Sequence, residues 1–134
     1  MPGEFFDSNV LLYLADRGTP KADRSESLMK RGGNISAQVL NECANVLRVK
    51  RQSSWPETRI FLDELQVLLN VWPVTLETHQ SGLRLAERYG FSIYDSFIVA
   101  AALQAECDTL CSEDMQDGLL VDRRLRVVNP FGST

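Results

Sequence analysis

The 134-residue sequence has a single histidine, His79, and that scarcity removes a large class of enzymes. A Ser-His-Asp or Cys-His hydrolase needs an imidazole beside its nucleophile. His79 lies in a polar helix start and is not expected to act in catalysis. Cysteine is scarce as well. Cys43, Cys107 and Cys111 are odd in number and lack C-x-x-C spacing, which argues against a disulfide framework or a zinc knuckle and leaves them as small core residues. With neither a G-x-x-x-x-G-K-[ST] loop nor G-x-G-x-x-G, a nucleoside triphosphate or dinucleotide enzyme has no support. The longest apolar run, Phe97 to Leu103, falls far short of the roughly 20 residues that span a bilayer, so no membrane role is expected. The opening "MPGEFFD" lacks a basic n-region and meets acids at Glu4 and Asp7, which makes the cytoplasm the expected location. Positive charge is in deficit too. A net charge of −4 is the wrong sign for holding nucleic acid on a general basic surface. Contact with nucleic acid would have to be local; acids gathered in one cleft around metal ions would supply the positive potential that phosphates require.

What is present suits one globular domain over residues 1–134, with 44% hydrophobic and 24% charged residues and no repeat, low-complexity tract or long linker. Short apolar segments read as strands at Glu4 to Asp7, Asn34 to Ser36, Val71 to Thr75, Thr109 to Ser112 and Arg126 to Phe131. Between them lie helical patterns: one capped by Asp7, Ser8 or Asn9, then Lys21 to Arg31, Gln38 to Lys50, a segment with Ser54 as cap and Pro56 in its first turn, Leu76 to Tyr89, and an apolar helix opened by Asp95. This alternation predicts an α/β domain with a mainly parallel sheet of about five strands and helices on both faces. Sites in such sheets form beyond the carboxyl ends of the strands.

Four acids fall where such a site would use them. Asp7 follows the apolar pair Phe5 and Phe6 at the end of the first strand, and Asp114, in "LCSEDMQDG", stands in the same relation to a later one. If those strands are neighbours, both carboxylates face one crevice, which Asp95 approaches from the helix leading into the later strand. Glu42, at about 100° per residue, falls between Val46 and Val49 on the edge of an apolar stripe, where a carboxylate needs a cation, a donor or a water-filled cleft. Each acid also has an ordinary use. Asp7 and Asp114 suit capping and turns, Glu42 can reach outward, and Ser92 with Asp95 has the S-x-x-D spacing of a capping box. Four carboxylates converging without a cation would repel one another, whereas Mg²⁺ or Mn²⁺ prefers oxygen ligands of this kind. Such an ion binds a phosphate oxygen and lowers the pKa of a bound water for in-line attack on phosphorus. Ser112 can steady a water or phosphate oxygen there, and Asn9 can orient Asp7 or cap the next helix. "RVKRQ", Arg48 to Gln52, is a basic spot that reads first as a solvated helix end and second as an RNA-backbone contact.

The segments "FFDSNVLLYL", "ISAQVLNECANVL", "YDSFIVAAAL" and "CSEDMQDG", in this order and with these separations, resemble the PIN domain, and more closely the VapC-type toxins of toxin-antitoxin pairs. The likeness runs over almost the whole chain and includes the closing "RLRVVNPF" as a last strand. It implies a three-layer α/β/α fold and a Mg²⁺- or Mn²⁺-dependent endoribonuclease, often a homodimer, neutralised by a small antitoxin whose tail covers the acid site. By motif position Asp7, Glu42, Asp95 and Asp114 match the family's first to fourth acids, and Ser112 stands where Thr or Ser is usual. Glu113 and Asp117 add acids beside Asp114, and Asp117 is a possible sharer of its role. Transfer RNA and ribosomal RNA are the target classes the likeness brings. A noncatalytic PIN-like scaffold binding RNA or protein, and a structure-specific DNA nuclease, are the alternatives.

Overall fold

A computed structural model describes residues 3–132. Its core is a six-stranded sheet in the order β3-β2-β1-β4-β6-β5, built from β1 (Glu4–Phe6), β2 (Asn34–Ser36), β3 (Asn70–Trp72), β4 (Thr109–Cys111), β5 (Leu120–Val121) and β6 (Leu125–Val128). All pairings are parallel except β5 with β6. The helices α1 (Ser8–Leu11), α2 (Pro20–Lys30), α3 (Ala37–Asn45), α4 (Trp55–Leu68), α5 (Leu76–Tyr89) and α6 (Ile93–Gln104) complete the three-layer arrangement. A 3₁₀ turn, Leu12–Ala15, extends α1, and a π turn, Val46–Lys50, extends α3.

The sheet differs from the expected one in several places: β1 and β4 each end one residue early, at Phe6 and Cys111, where Asp7 and Ser112 leave the ladder, and larger differences lie elsewhere. β3 stops at Trp72, not Thr75, because Pro73 has no N–H for the ladder. β6 begins and ends earlier than expected and stops short of Pro130. The sixth strand, β5, joins β6 through a tight turn in which Asp122 and Arg123 take positive φ, 49° and 58°, without the Asn-Gly or Asp-Gly pair that normally announces such a hairpin. The Tyr89 hydroxyl compensates: it accepts from the Asp122 N–H (2.8 Å) and donates to the Asp122 carboxylate (3.1 Å).

Two features position the site. The central strands are buried outright, with Phe5, Phe6, Ile35, Leu110, Leu125 and Val127 inaccessible, so the sheet is a rigid platform. Helix α6 is apolar around most of its circumference, and Ser96 and Ile98 to Leu103 are all buried, as expected of a helix enclosed by its neighbours. It crosses α5 closely at Gly82, where an added Cβ would collide with the Phe97 ring. This contact sets the depth of α6 and therefore the position of its first turn.

Candidate metal centre

From β1 the chain continues to β2 on one side, while β4 pairs on the other, so the carboxyl ends of β1 and β4 flank the point where the strand order reverses. Ligand crevices of open α/β sheets lie at this place. Phe6 is in register with Cys111, and the Asp7 N–H donates to the Cys111 carbonyl (3.0 Å). Asp7 and Ser112 thus leave the sheet side by side.

Asp7 is the buried member of the group, 4% exposed. It caps α1 by accepting the Ser8 N–H on Oδ1 (2.7 Å), while its Oδ2 accepts from the Ser112 hydroxyl (2.9 Å) and the Asn9 amide (3.4 Å). Burial pushes its pKa up to about 6. The Ser112 hydrogen bond opposes that rise, the Glu42 carboxylate adds to it, the Ser8 N–H opposes it and the Asp95 carboxylate adds again. Capping and membership of the acid group therefore coincide in one side chain.

Glu42 is held at both oxygens. Ser8 Oγ donates to Oε1 (2.9 Å) and Gln38 Nε2 to Oε2 (2.9 Å). The sequence offers Ser8 only as a helix cap and Gln38 only as a helix start, although Gln38 and Glu42 have the i, i+4 spacing at which helical side chains meet. At the mouth of α6, Ser92 Oγ accepts the Asp95 N–H (3.2 Å), but only half of the expected capping box forms. Complete boxes occur in this chain at Ser54 with Glu57 and at Thr75 with Thr78. Among the described residues, the Ser92 hydroxyl is the one donor placed to act on the Asp95 carboxylate. Its pKa is raised, first by burial, then against the Ser92 hydrogen bond by the nearby Asp114 carboxylate.

Asp114 is exposed and accepts no hydrogen bond from any described residue. Its neighbours are engaged elsewhere. Glu113 bonds Lys21 (2.6 Å) and Tyr13 (2.6 Å), and its N–H donates to Asn9 Oδ1 (3.1 Å). Asp117 accepts the Asn129 N–H (2.8 Å), tying its loop to the end of β6. Asp117 thus holds its loop through Oδ1, and Asp114 is the acid of this segment whose charge raises the Asp95 pKa. His79 lies against Phe97 with ring centroids 5.4 Å apart, and all three cysteines are buried and free.

Repulsion links the four carboxylates in series, Glu42 and Asp95 acting on Asp7 and Asp114 acting on Asp95. Among the described residues no three acidic, histidine or cysteine side chains stand close enough to hold one ion as they lie. The donor set nonetheless fits a hard divalent cation. It is all oxygen, it is self-repelling, and to turn inward Asp114 breaks no hydrogen bond to a described residue while Asp95 gives up only its Ser92 contact. Two carboxylates are clamped and two are free to close.

The PIN domain profile matches residues 5–116. No curated protein matches the sequence. Among solved structures, the fold resembles a toxin-antitoxin complex from Klebsiella pneumoniae, with TM-score 0.70 and 19% identity over 95% of this chain and 97% of that one. It also resembles Mycobacterium tuberculosis VapC20, described as a toxin cleaving the sarcin-ricin loop, with TM-score 0.68 and 16% identity over 83% and 89%. A third likeness is to VapBC2 from Rickettsia felis bound to a promoter DNA fragment, with TM-score 0.62 and 19% identity over 83% and 87%. With a profile spanning both the β1–β4 switch point and all four acids, the chain belongs to the PIN-domain family.

Proposed function

We propose that this chain is a metal-dependent endoribonuclease and the toxin of a VapBC-type pair. The observation carrying this reading is the buried Asp7, raised to about 6 and coupled to Glu42 and Asp95 at the strand-order reversal. A purely structural cap gains nothing from two further carboxylates nearby.

Asp7, Asp95, Asp114 and Glu42 would hold Mg²⁺ or Mn²⁺, which supplies a Lewis acid for a phosphate oxygen and a lowered pKa for water. The chain's own contribution is orientation. Ser112 and Asn9 fix Asp7 Oδ2, Ser8 fixes Oδ1, and Ser8 with Gln38 fixes Glu42. The Ser112 hydroxyl also accepts the Met115 N–H (3.3 Å), so the turn that carries Asp114 is tied to the serine that orients Asp7. RNA as substrate, an antitoxin tail over the acids and a homodimer are carried over from the resemblance, with transfer RNA and ribosomal RNA both open as targets. No described helix is long and apolar enough to cross a membrane.

The test is cleavage of labelled RNA by antitoxin-free protein with Mg²⁺ or Mn²⁺, compared with EDTA and with Asp95→Asn. Cutting that is lost in both controls, with the variant still folded, supports the nuclease. Protein that binds the ion and cuts DNA but no RNA supports the DNA nuclease. Protein that binds no ion and cuts neither supports the scaffold.

A further inference from the structure

Gln38 lies on the first turn of α3, and its amide nitrogen has two acceptors on different elements. It donates to Glu42 Oε2 one turn along its own helix (2.9 Å) and to the Tyr94 carbonyl in the first turn of α6 (3.0 Å). Tyr94 immediately precedes Asp95. On the other side of Glu42, Ser8 Oγ donates to Oε1, and the Ser8 N–H donates to Asp7. One hydrogen-bonded belt therefore runs from Asp7 through Ser8, Glu42 and Gln38 to the residue beside Asp95. Among the described residues, Gln38 is the link of this belt between α3 and α6.

We infer that Gln38 is a positioning residue, setting the gap between Glu42 and Asp95 so that both reach one cation. This rests on the metal-site reading of the acids. The residue type matters. A neutral amide provides two N–H groups without bringing a charge of either sign among the carboxylates, whereas a lysine would compete with the cation and a glutamate would add to the repulsion. Because each Glu42 oxygen already accepts one hydrogen bond, its orientation is set before any ion arrives. Loss of groups that orient metal ligands typically costs about 10- to 100-fold in affinity.

The experiment is Mn²⁺ binding followed by electron paramagnetic resonance, on wild type, Gln38→Met, Glu42→Gln and the double variant, with melting in EDTA as a check on folding. Gln38→Met keeps length and removes the donors. It is expected to weaken Mn²⁺ binding about tenfold while melting within a few degrees of wild type, and to have under twofold effect in the Glu42→Gln background. If Gln38→Met melts much lower, Gln38→Asn, which keeps the amide but shortens its reach, takes its place. Unchanged affinity in the single variant overturns the role, as does an equal loss in both backgrounds, which would mean general damage. Wild type that binds no Mn²⁺ overturns the metal site itself and the role of Gln38 with it, an outcome distinct from the other two.

Discussion

Asp7→Asn should stabilise the metal-free protein near neutral pH. The folded state binds the Asp7 proton more tightly than the unfolded chain does, since folding raises the pKa from 3.8 to about 6. Asp7 therefore destabilises as pH rises through that interval, and its cost is fully developed above about pH 6. A rise of this size corresponds to about 3 kcal/mol at pH 7. Asparagine keeps an oxygen for the Ser8 N–H but turns an amide toward Asn9 and Ser112, so the net gain falls to about 2 kcal/mol. For a domain of this size that is roughly 8 °C in melting temperature. The assay is thermal melting in EDTA from pH 4 to 7.5, wild type against variant. The two should nearly coincide at pH 4 and separate as pH rises, with the variant higher. Adding Mn²⁺ should raise wild type alone, through binding to the native state. A variant less stable at pH 7 in EDTA, or a difference constant from pH 4 to 7, would refute the burial and repulsion account.

Gly82→Ala should destabilise by about 1 to 3 kcal/mol in urea unfolding, because overpacking against Phe97 outweighs the roughly 1 kcal/mol that alanine gains in a helix; a neutral or stabilising result would mean that α5 and α6 have slack. Glu113→Gln should reduce RNA cleavage more than it lowers melting temperature, since the Lys21 and Tyr13 contacts anchor the turn bearing Asp114; equal activity would uncouple that anchor from the site. Native protein should resist a thiol reagent at pH 8 and label at all three cysteines on unfolding, because burial pushes the thiols of Cys43, Cys107 and Cys111 up to about 12, 11 and 12. Ser92→Ala should cost about 1 kcal/mol in chemical denaturation, as loss of a helix cap does, and should push the Asp95 pKa further up, since the Ser92 hydroxyl opposes that rise.

Strong local signals made most of the fold legible. Alternating strands and helices, Gly90 closing α5, and the caps at Ser54 and Ser92 all lie within a few residues of what they specify. β5 escaped because its turn uses Asp122 and Arg123 at positive φ, supported by Tyr89, a partner 33 residues away. The juxtaposition of Asp7 with Ser112 was legible through the rule that strand ends gather at one edge, once β1 and β4 are adjacent. Which carboxylates are clamped and which are free was not. That depends on Gln38 reaching a backbone carbonyl 56 residues away and on Asp117 turning to Asn129, contacts with no mark in spacing or composition.

The β1–β4 pairing also bears on biosynthesis. Asp7 and Ser112 are 105 residues apart, so the strand beside β1 that carries the chain to Ser112 is made long after Asp7. A chain emerging from the ribosome therefore has no partner for this edge of β1 until β4 is made, and closing so long a loop must precede any reward from the pairing. The acid group cannot assemble on a partial chain.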